Sequence, residues 1–382
     1  MSLLSDLSEL PGSQYTAGEI AAQPELWLDI YQQILSDKSR ISSFLRGTIP
    51  QVNKIILTGA GTSAFIGLSL HGTFNRSLKI HTDAVATTDL VSHPGEYFFG
   101  HESIMLVSFA RSGNSPESIA VVDLADKICK KCFHLIITCD ESGHLARHKT
   151  SSTKFLIILP PCANDKGLAM TGSYTGMLLS GFLVARLNEI EKLAHQIKII
   201  HQYGRKILDV YSSKLNEVAS LPFSRVVFLG SGPFFGTATE SQLKLQELTD
   251  GIVICKNDSY LGFRHGPKAV TDENTLMVFI FSNNPYVQLY ERDLVLSMKK
   301  GKKALYTIGI SENPVKDINV DMMISLSDSG IIIDEELLTV CFVLPGQLLG
   351  LFKSMYLGLN PDSPSKSGAI SRVVENVTIY NY

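Results

Sequence analysis

Lys54-Ile-Ile-Leu-Thr-Gly-Ala-Gly-Thr-Ser63 and Arg225-Val-Val-Phe-Leu-Gly-Ser-Gly-Pro-Phe234 have the same pattern: an aliphatic run, then Gly-x-Gly, then the opening of a helical stretch. A run apolar at nearly every position suits a strand buried on both faces of a parallel sheet. Gly-x-Gly at its end allows the sharp turn into a helix. Gly59 to Gly230 and Gly61 to Gly232 are both 171 positions apart, as in an internal repeat. Further strands are expected at Ser103 to Phe109, Leu135 to Thr138 and Phe155 to Leu159. The second half adds Leu276 to Phe281, Lys303 to Ile308 and Met322 to Leu326. Helical spacing fills the gaps, for instance Ser115 to Lys130 and Thr171 to Leu187. The expected fold class is α/β: two tandem doubly wound, flavodoxin-like, three-layer αβα domains after an N-terminal helical arm that carries Trp27. The boundaries drawn are 1-50 for the arm, 51-200 for the first domain, 201-217 for a helical connector and 218-382 for the second domain with a C-terminal tail.

Composition narrows the function. The 382 residues are 45% hydrophobic and 19% charged, enough for two buried cores and without a disorder signature. Lys plus Arg number 34 against 37 Asp plus Glu, a net charge of −3, so no general basic field awaits nucleic acid or a membrane surface. No apolar stretch is expected to approach membrane-spanning length, and the N-terminus lacks the pattern of a signal peptide, so the expected location is cytoplasmic. Six cysteines in so long a chain are not a disulfide framework. Cys129 and Cys132 form an isolated C-x-x-C without a second pair at zinc spacing. His144 and His148 lack the glutamate of a metalloprotease helix. No metal and no cofactor is expected.

The most informative loop is Ser108-Phe-Ala-Arg-Ser-Gly-Asn-Ser-Pro-Glu-Ser118, which follows the apolar run Ile104 to Val107. Hydroxyls and the flexible Gly113 stand at a strand end, Ser115 is placed to cap the next helix, Pro116 suits its first position and Glu117 its first turn. Such a helix start binds a phosphate dianion through backbone N–H groups and hydroxyls without a metal. An ordinary Ser cap would have the same sequence, and Gly59-x-Gly61 with Ala64 also fits a dinucleotide fingerprint. Against a nicotinamide enzyme stand Phe235, where the second copy lacks a small residue, and the second phosphate-type loop in the same half.

The combination of Gly59-Ala-Gly-Thr-Ser63, the Ser108 loop, Gly230-Ser-Gly232, Glu240-Ser-Gln-Leu-Lys-Leu-Gln-Glu247 and Phe263-Arg-His-Gly-Pro267 resembles the SIS (sugar isomerase) superfamily over nearly the whole chain after the arm. Within it the chain is most similar to AgaS-type galactosamine-6-phosphate deaminase/isomerases, also called tagatose-6-phosphate ketose/aldose isomerases. The isomerase half of glucosamine-6-phosphate synthase has the same layout. That synthase carries a glutaminase for which the first fifty residues here leave no room, so ammonia production from glutamine is not expected. The resemblance implies substrate contacts from Gly61, Thr62, Ser63, Arg111, Ser112, Asn114, Ser115, Thr171 and Arg372. It implies catalysis by Glu247 and His265, with Glu240 supporting from behind and His265 reaching the neighbouring subunit's site, hence a homodimer or larger. The stretch from Asn360 to Val374 is similar to a tail that closes over the sugar. Compared with the synthase loop, Ala110 stands where a hydroxyl is lost and Arg111 is a cation gained, placed to pair with the phosphate or hold an acid. Near the synthase's Schiff-base lysine stands Arg372, with Lys366 close by; an arginine forms no Schiff base.

The chemistry follows from residue types. A hexosamine 6-phosphate is mostly a closed ring, and a histidine suits the proton shift between O1 and O5 that opens it. A carboxylate must then move a proton from C2 to C1. With an amine at C2 the product is a 2-imine, which water converts to a ketose and ammonia. The expected reaction is galactosamine 6-phosphate plus water to tagatose 6-phosphate plus ammonia. A plain aldose-ketose isomerase and a non-catalytic sugar-phosphate sensor are the alternatives.

Overall fold

The computed structural model describes residues 3–298, 300–374 and 377–382. One sheet contains β1 (Lys54–Thr58), β2 (His81–Ala84), β3 (Ser103–Ala110), β4 (Lys131–Thr138) and β5 (Thr153–Ile158) in the order β2-β1-β3-β4-β5. The other contains β6 (Arg225–Leu229), β7 (Ile254–Asp258), β8 (Thr275–Ile280), β9 (Tyr306–Ser311) and β10 (Met322–Ser325) in the order β7-β6-β8-β9-β10. All neighbours are parallel and the two orders are equivalent, as the 171-residue repeat requires. The chain falls into two compact units, one built on β1–β5 from residues 25–165, 170–197 and 371–382, the other on β6–β10 from residues 1–24, 166–169 and 198–370.

The glycine loops repeat to the dihedral angle. Gly61 has φ 55° and ψ −128°, Gly232 φ 57° and ψ −130°, and each starts a helix, Thr62–Leu78 or Pro233–Leu248. Both lie in the left-handed half of the map that favours glycine. The preceding glycines let a helix approach the strand end: a Cβ on Gly59 would sit 2.5 Å from Ser63 Cβ, and one on Gly230 2.3 Å from the Phe234 carbonyl oxygen.

In the β1–β5 unit the helix Gly172–Ala185 is buried at every residue. Helices hydrophobic all round are core elements, and this one admits close neighbours at its glycines: a Cβ on Gly181 would meet Leu70 Cδ1 at 2.6 Å. Trp27, fully buried on the helix Gln14–Ser36, donates from Nε1 to Thr175 Oγ1 at 3.1 Å. In the β6–β10 unit the consecutive helices Glu335–Phe342 and Leu344–Tyr356 correct one expectation. The span Glu335–Tyr356 contains an 18-residue stretch long and apolar enough to cross a membrane, yet that stretch is wholly buried.

Two strands have no counterpart in the sequence reading, β2 and β7. Each is the short, polar edge strand of its sheet, where one-sided pairing demands no aliphatic run. β9 begins three residues later than Lys303, because its register pairs Tyr306 with Leu276 of β8.

Candidate functional site

In an open parallel sheet, ligands bind beyond the strand C-termini where the strand order reverses. In the β1–β5 unit that switch point lies between β1 and β3, paired from Lys54↔Ile104 to Thr58↔Ser108. The loops leaving these strands are Gly59–Ser63 and Arg111–Ser115, so the topology brings together both phosphate-type loops. Thr62 and Ser63 are buried on the first turn of their helix, and Gly61 is exposed. Gly113 has φ 64°, and its carbonyl accepts from Leu145 N at 2.9 Å. The Asn114 side chain accepts from His144 N at 3.0 Å, and Ser112 Oγ from Asn114 N at 3.3 Å. The loop is thus shaped from behind by residues that follow β4. Ser115 is the N-cap of the helix Pro116–Ile128, as expected, but its side chain does not make the capping hydrogen bond. The Ser115 hydroxyl and the helix's first turn face the same need for an acceptor, which an anion satisfies.

The remaining residues assigned to substrate contact have partners within the unit. Thr171 is fully buried and its hydroxyl donates to Asp165 Oδ1 at 2.9 Å. Asp165, also fully buried, accepts from the backbone of Thr171 (2.9 Å), Gly172 (3.0 Å) and Ser173 (3.0 Å), and from the Ser173 hydroxyl. It closes the positive end of the all-buried helix, where unpaired N–H groups would be costly. Arg372 donates from Nε to the Asp165 carbonyl at 2.9 Å and from Nη2 to Asn164 Oδ1 at 3.0 Å. Arg111, buried despite its charge, donates to the Arg372 carbonyl. Lys366 is exposed, its backbone N–H 3.4 Å from Asp250 Oδ2 in the β6–β10 unit.

In the β6–β10 unit the helix Pro233–Leu248 carries the carboxylates. Glu240 is fully buried; Lys244, 1% exposed, lies 3.5 Å from Glu240 Oε1 and 2.5 Å from Glu247 Oε2. Glu247 keeps 23% of its side chain accessible. Spacings of i, i+3 and i, i+4 set all three on one helical face. The result is a partly exposed carboxylate, backed by a buried cation that is balanced by a second carboxylate. Lys244 was given no role on sequence grounds, although its spacing to both glutamates was the available signal. Asp165 was missed as well, because it precedes its helix by seven residues rather than one. His265 is exposed in the turn between Tyr260–Phe263 and Pro267–Val270, beside Gly266 at φ 115°, and no hydrogen bond joins it to Glu247 among the described residues.

The second sheet has its own switch point, between β6 and β8, but different contents. The loop Ser282-Asn-Asn284 precedes a helix that again opens on proline, Pro285–Met298. Ser282 N donates to Glu291 Oε2 at 3.0 Å, Asn283 N and the Ser282 hydroxyl donate to Glu335, and Asn283 Nδ2 donates to Glu312 Oε2 at 2.8 Å. Burial, with the charge of Glu335, pushes the Glu291 carboxyl up to about 8. Burial pushes Glu312 up also. The chain's own carboxyl groups fill the place that serines line in the first sheet, which disfavours a further anion there.

Cys132 on β4 and Cys129, two residues before that strand, are both buried; Cys132 donates to the Ala125 carbonyl at 3.0 Å, and its neighbourhood lowers the pKa of the Cys129 thiol.

Paired five-stranded parallel sheets of equivalent order, each with a glycine loop on its leading strand, define the class of tandem SIS proteins, and residues 48–185 match the SIS domain family. Within that class the chain belongs to the AgaS family: it is 37% identical over 377 residues to the D-galactosamine-6-phosphate deaminase AgaS of Shewanella sp. (strain ANA-3), covering 97% of this chain and 93% of that protein. The crystal structure of tagatose-6-phosphate ketose/aldose isomerase from Escherichia coli superposes with a TM-score of 0.87 at 35% identity, covering 96% of each chain. The C-terminal domain of glucosamine-fructose-6-phosphate aminotransferase from Francisella tularensis shares the fold, with a TM-score of 0.76 at 19% identity over 90% of this chain and 96% of that one.

Proposed function

We propose that this protein is an isomerising deaminase that converts galactosamine 6-phosphate and water to tagatose 6-phosphate and ammonia. Sugar phosphates as the substrate class are supported by the names of the AgaS relative and of the E. coli structure. The observation that carries the finer reading is the Glu240–Lys244–Glu247 array: a carboxylate, accessible at its tip and set against a buried ammonium, is the group that a proton transfer between adjacent carbons needs. In this reading Ser112 and Ser115, with the helix start behind them, hold the 6-phosphate. Gly61, Thr62 and Ser63 add contacts from the neighbouring loop. His265 moves the ring-opening proton from O1 to O5. Glu247 removes the C2 proton, giving an enaminol, and returns it to C1, giving the 2-imine of the ketose. Water adds at C2, the C–N bond breaks, and ammonia leaves.

His265 is exposed and not hydrogen-bonded to Glu247, which supports its assignment to the site of a neighbouring subunit in a homo-oligomer. Thr171 and Arg372 act through the packing of Asp165 and of the tail.

Incubating the purified protein with galactosamine, glucosamine and N-acetylgalactosamine 6-phosphates, while following ammonia and tagatose 6-phosphate, tests the proposal. Stoichiometric ammonia and tagatose 6-phosphate from the first substrate is the expected result. Equilibration of tagatose 6-phosphate with an aldose phosphate, without ammonia from any amino sugar, would establish the plain isomerase instead. No turnover of either kind would refute the enzyme reading.

A further inference from the structure

We propose that Arg111 is a positioning residue that straps the C-terminal tail, at Arg372, onto the phosphate loop, and that it is not itself a phosphate ligand. The inference rests on the proposed function only for its kinetic readout. Arg111 is the first residue after β3 and is 7% exposed, so its guanidinium is committed to the protein interior. It donates to the backbone carbonyl of Arg372, a residue of the tail. Arg372 in turn grips the segment after β5, through the Asp165 carbonyl at 2.9 Å and Asn164 Oδ1 at 3.0 Å. The tail therefore links the loop after β3 to the segment after β5, and both follow C-terminal ends of strands in the same sheet. Its far end is held separately: Lys127 donates to the Tyr382 carbonyl, and a Cβ on Gly95 would lie 2.7 Å from the Tyr382 hydroxyl.

Both guanidiniums have acceptors within the unit, the carbonyls of Arg372 and Asp165 and the side chain of Asn164. The loop's hydroxyls at Ser112 and Ser115 are left to bind the phosphate, and the arginine orders the strap beside them.

Hydrogen–deuterium exchange of the 371–382 segment in the unliganded protein tests the strap directly, comparing wild type with Arg111→Gln and Arg372→Ala. Exchange of this segment at least about tenfold faster in both variants is expected, with β3 and β4 protected as in wild type. Inhibition by inorganic phosphate should change less than about threefold in Arg111→Gln, while KM for galactosamine 6-phosphate rises more than kcat falls. In a chain ending at Ile370, Arg111→Gln should add nothing further, as expected for two changes acting through one contact. Unchanged tail exchange in Arg111→Gln overturns the proposal. So does a tenfold loss of inorganic phosphate inhibition that persists in the shortened chain, which would make Arg111 a phosphate ligand. Should galactosamine 6-phosphate not react at all, the exchange result still decides the strap, so failure of the functional reading and failure of this inference remain separable.

Discussion

Glu291→Gln is expected to stabilise the protein in alkaline solution and to leave it nearly unchanged in acid. Glu291 is 1% exposed, its Oε2 accepts from Ser282 N at 3.0 Å, and its Oε1 has no hydrogen-bond partner among the described residues. Burial first, then the charge of Glu335, raise its carboxyl from 4.5 to about 8. A carboxyl with a raised folded pKa holds its proton in the native state and loses it on unfolding between the two values. Its contribution is therefore fully present below about pH 4.5, shrinks as pH rises, and is fully lost above about 8. The gap of 8 − 4.5 units, at 1.36 kcal/mol per unit, sets a ceiling of about 5 kcal/mol on that loss. Glutamine reproduces the shape of the protonated acid, keeps an acceptor for Ser282 N, and ionises at no pH. Urea unfolding followed by far-UV circular dichroism should find the two proteins within about 1 kcal/mol at about pH 5, with the variant ahead by at least about 2 kcal/mol at about pH 8.5. A stability difference that does not change between those two pH values would refute the reasoning, because it would mean that Glu291 ionises in the folded protein as it does in water.

Lys244→Met leaves Glu240 and Glu247 without their shared cation, and removing one member of a buried ion pair costs about 3–5 kcal/mol; urea unfolding should show a loss of that size, and a loss below about 1 kcal/mol would mean the pair is solvated. Glu247→Gln should lower kcat for deamination by about a thousandfold or more while inorganic phosphate still binds; retention of most activity would remove Glu247 as the base. Ser112→Ala and Ser115→Ala should each weaken inhibition by inorganic phosphate about tenfold, the equivalent of one hydrogen bond to a charged group, with no effect on unfolding beyond about 1 kcal/mol; unchanged inhibition would place the phosphate elsewhere.

What was legible in the sequence follows the strength of each physical demand. Central strands need uninterrupted apolar runs, so β1, β3, β6 and β8 could be placed within a residue or two. The Gly-x-Gly loops need left-handed backbone and close helix approach, which only glycine meets, so the repeat was visible from spacing alone. Edge strands β2 and β7 carry neither demand and left no trace. The site shows the same division. Loop hydroxyls and the glutamate-bearing helix could be proposed from the sequence because chemistry confines such groups to few residue types. The bonds of Thr171 to Asp165 and of Arg111 to Arg372 were not, since they join segments 6 and 261 residues apart through geometry that no local pattern encodes.

The two switch points show how a duplicated fold gives unequal sites. Both sheets offer a loop after the third strand of the order and a helix opening on proline, Pro116 or Pro285. In the β1–β5 unit the loop presents serines, and its charged residues turn to the tail and the buried helix. In the β6–β10 unit Glu291, Glu312 and Glu335 accept from Ser282 N, the Ser282 hydroxyl, Asn283 N and Asn283 Nδ2. A loop whose donors are already taken by carboxyl groups has few left to offer a phosphate. The fold is the same on both sides, and the difference lies in three glutamates. In the proposed function it is then the helix Pro233–Leu248, with Glu240, Lys244 and Glu247, through which this unit takes part.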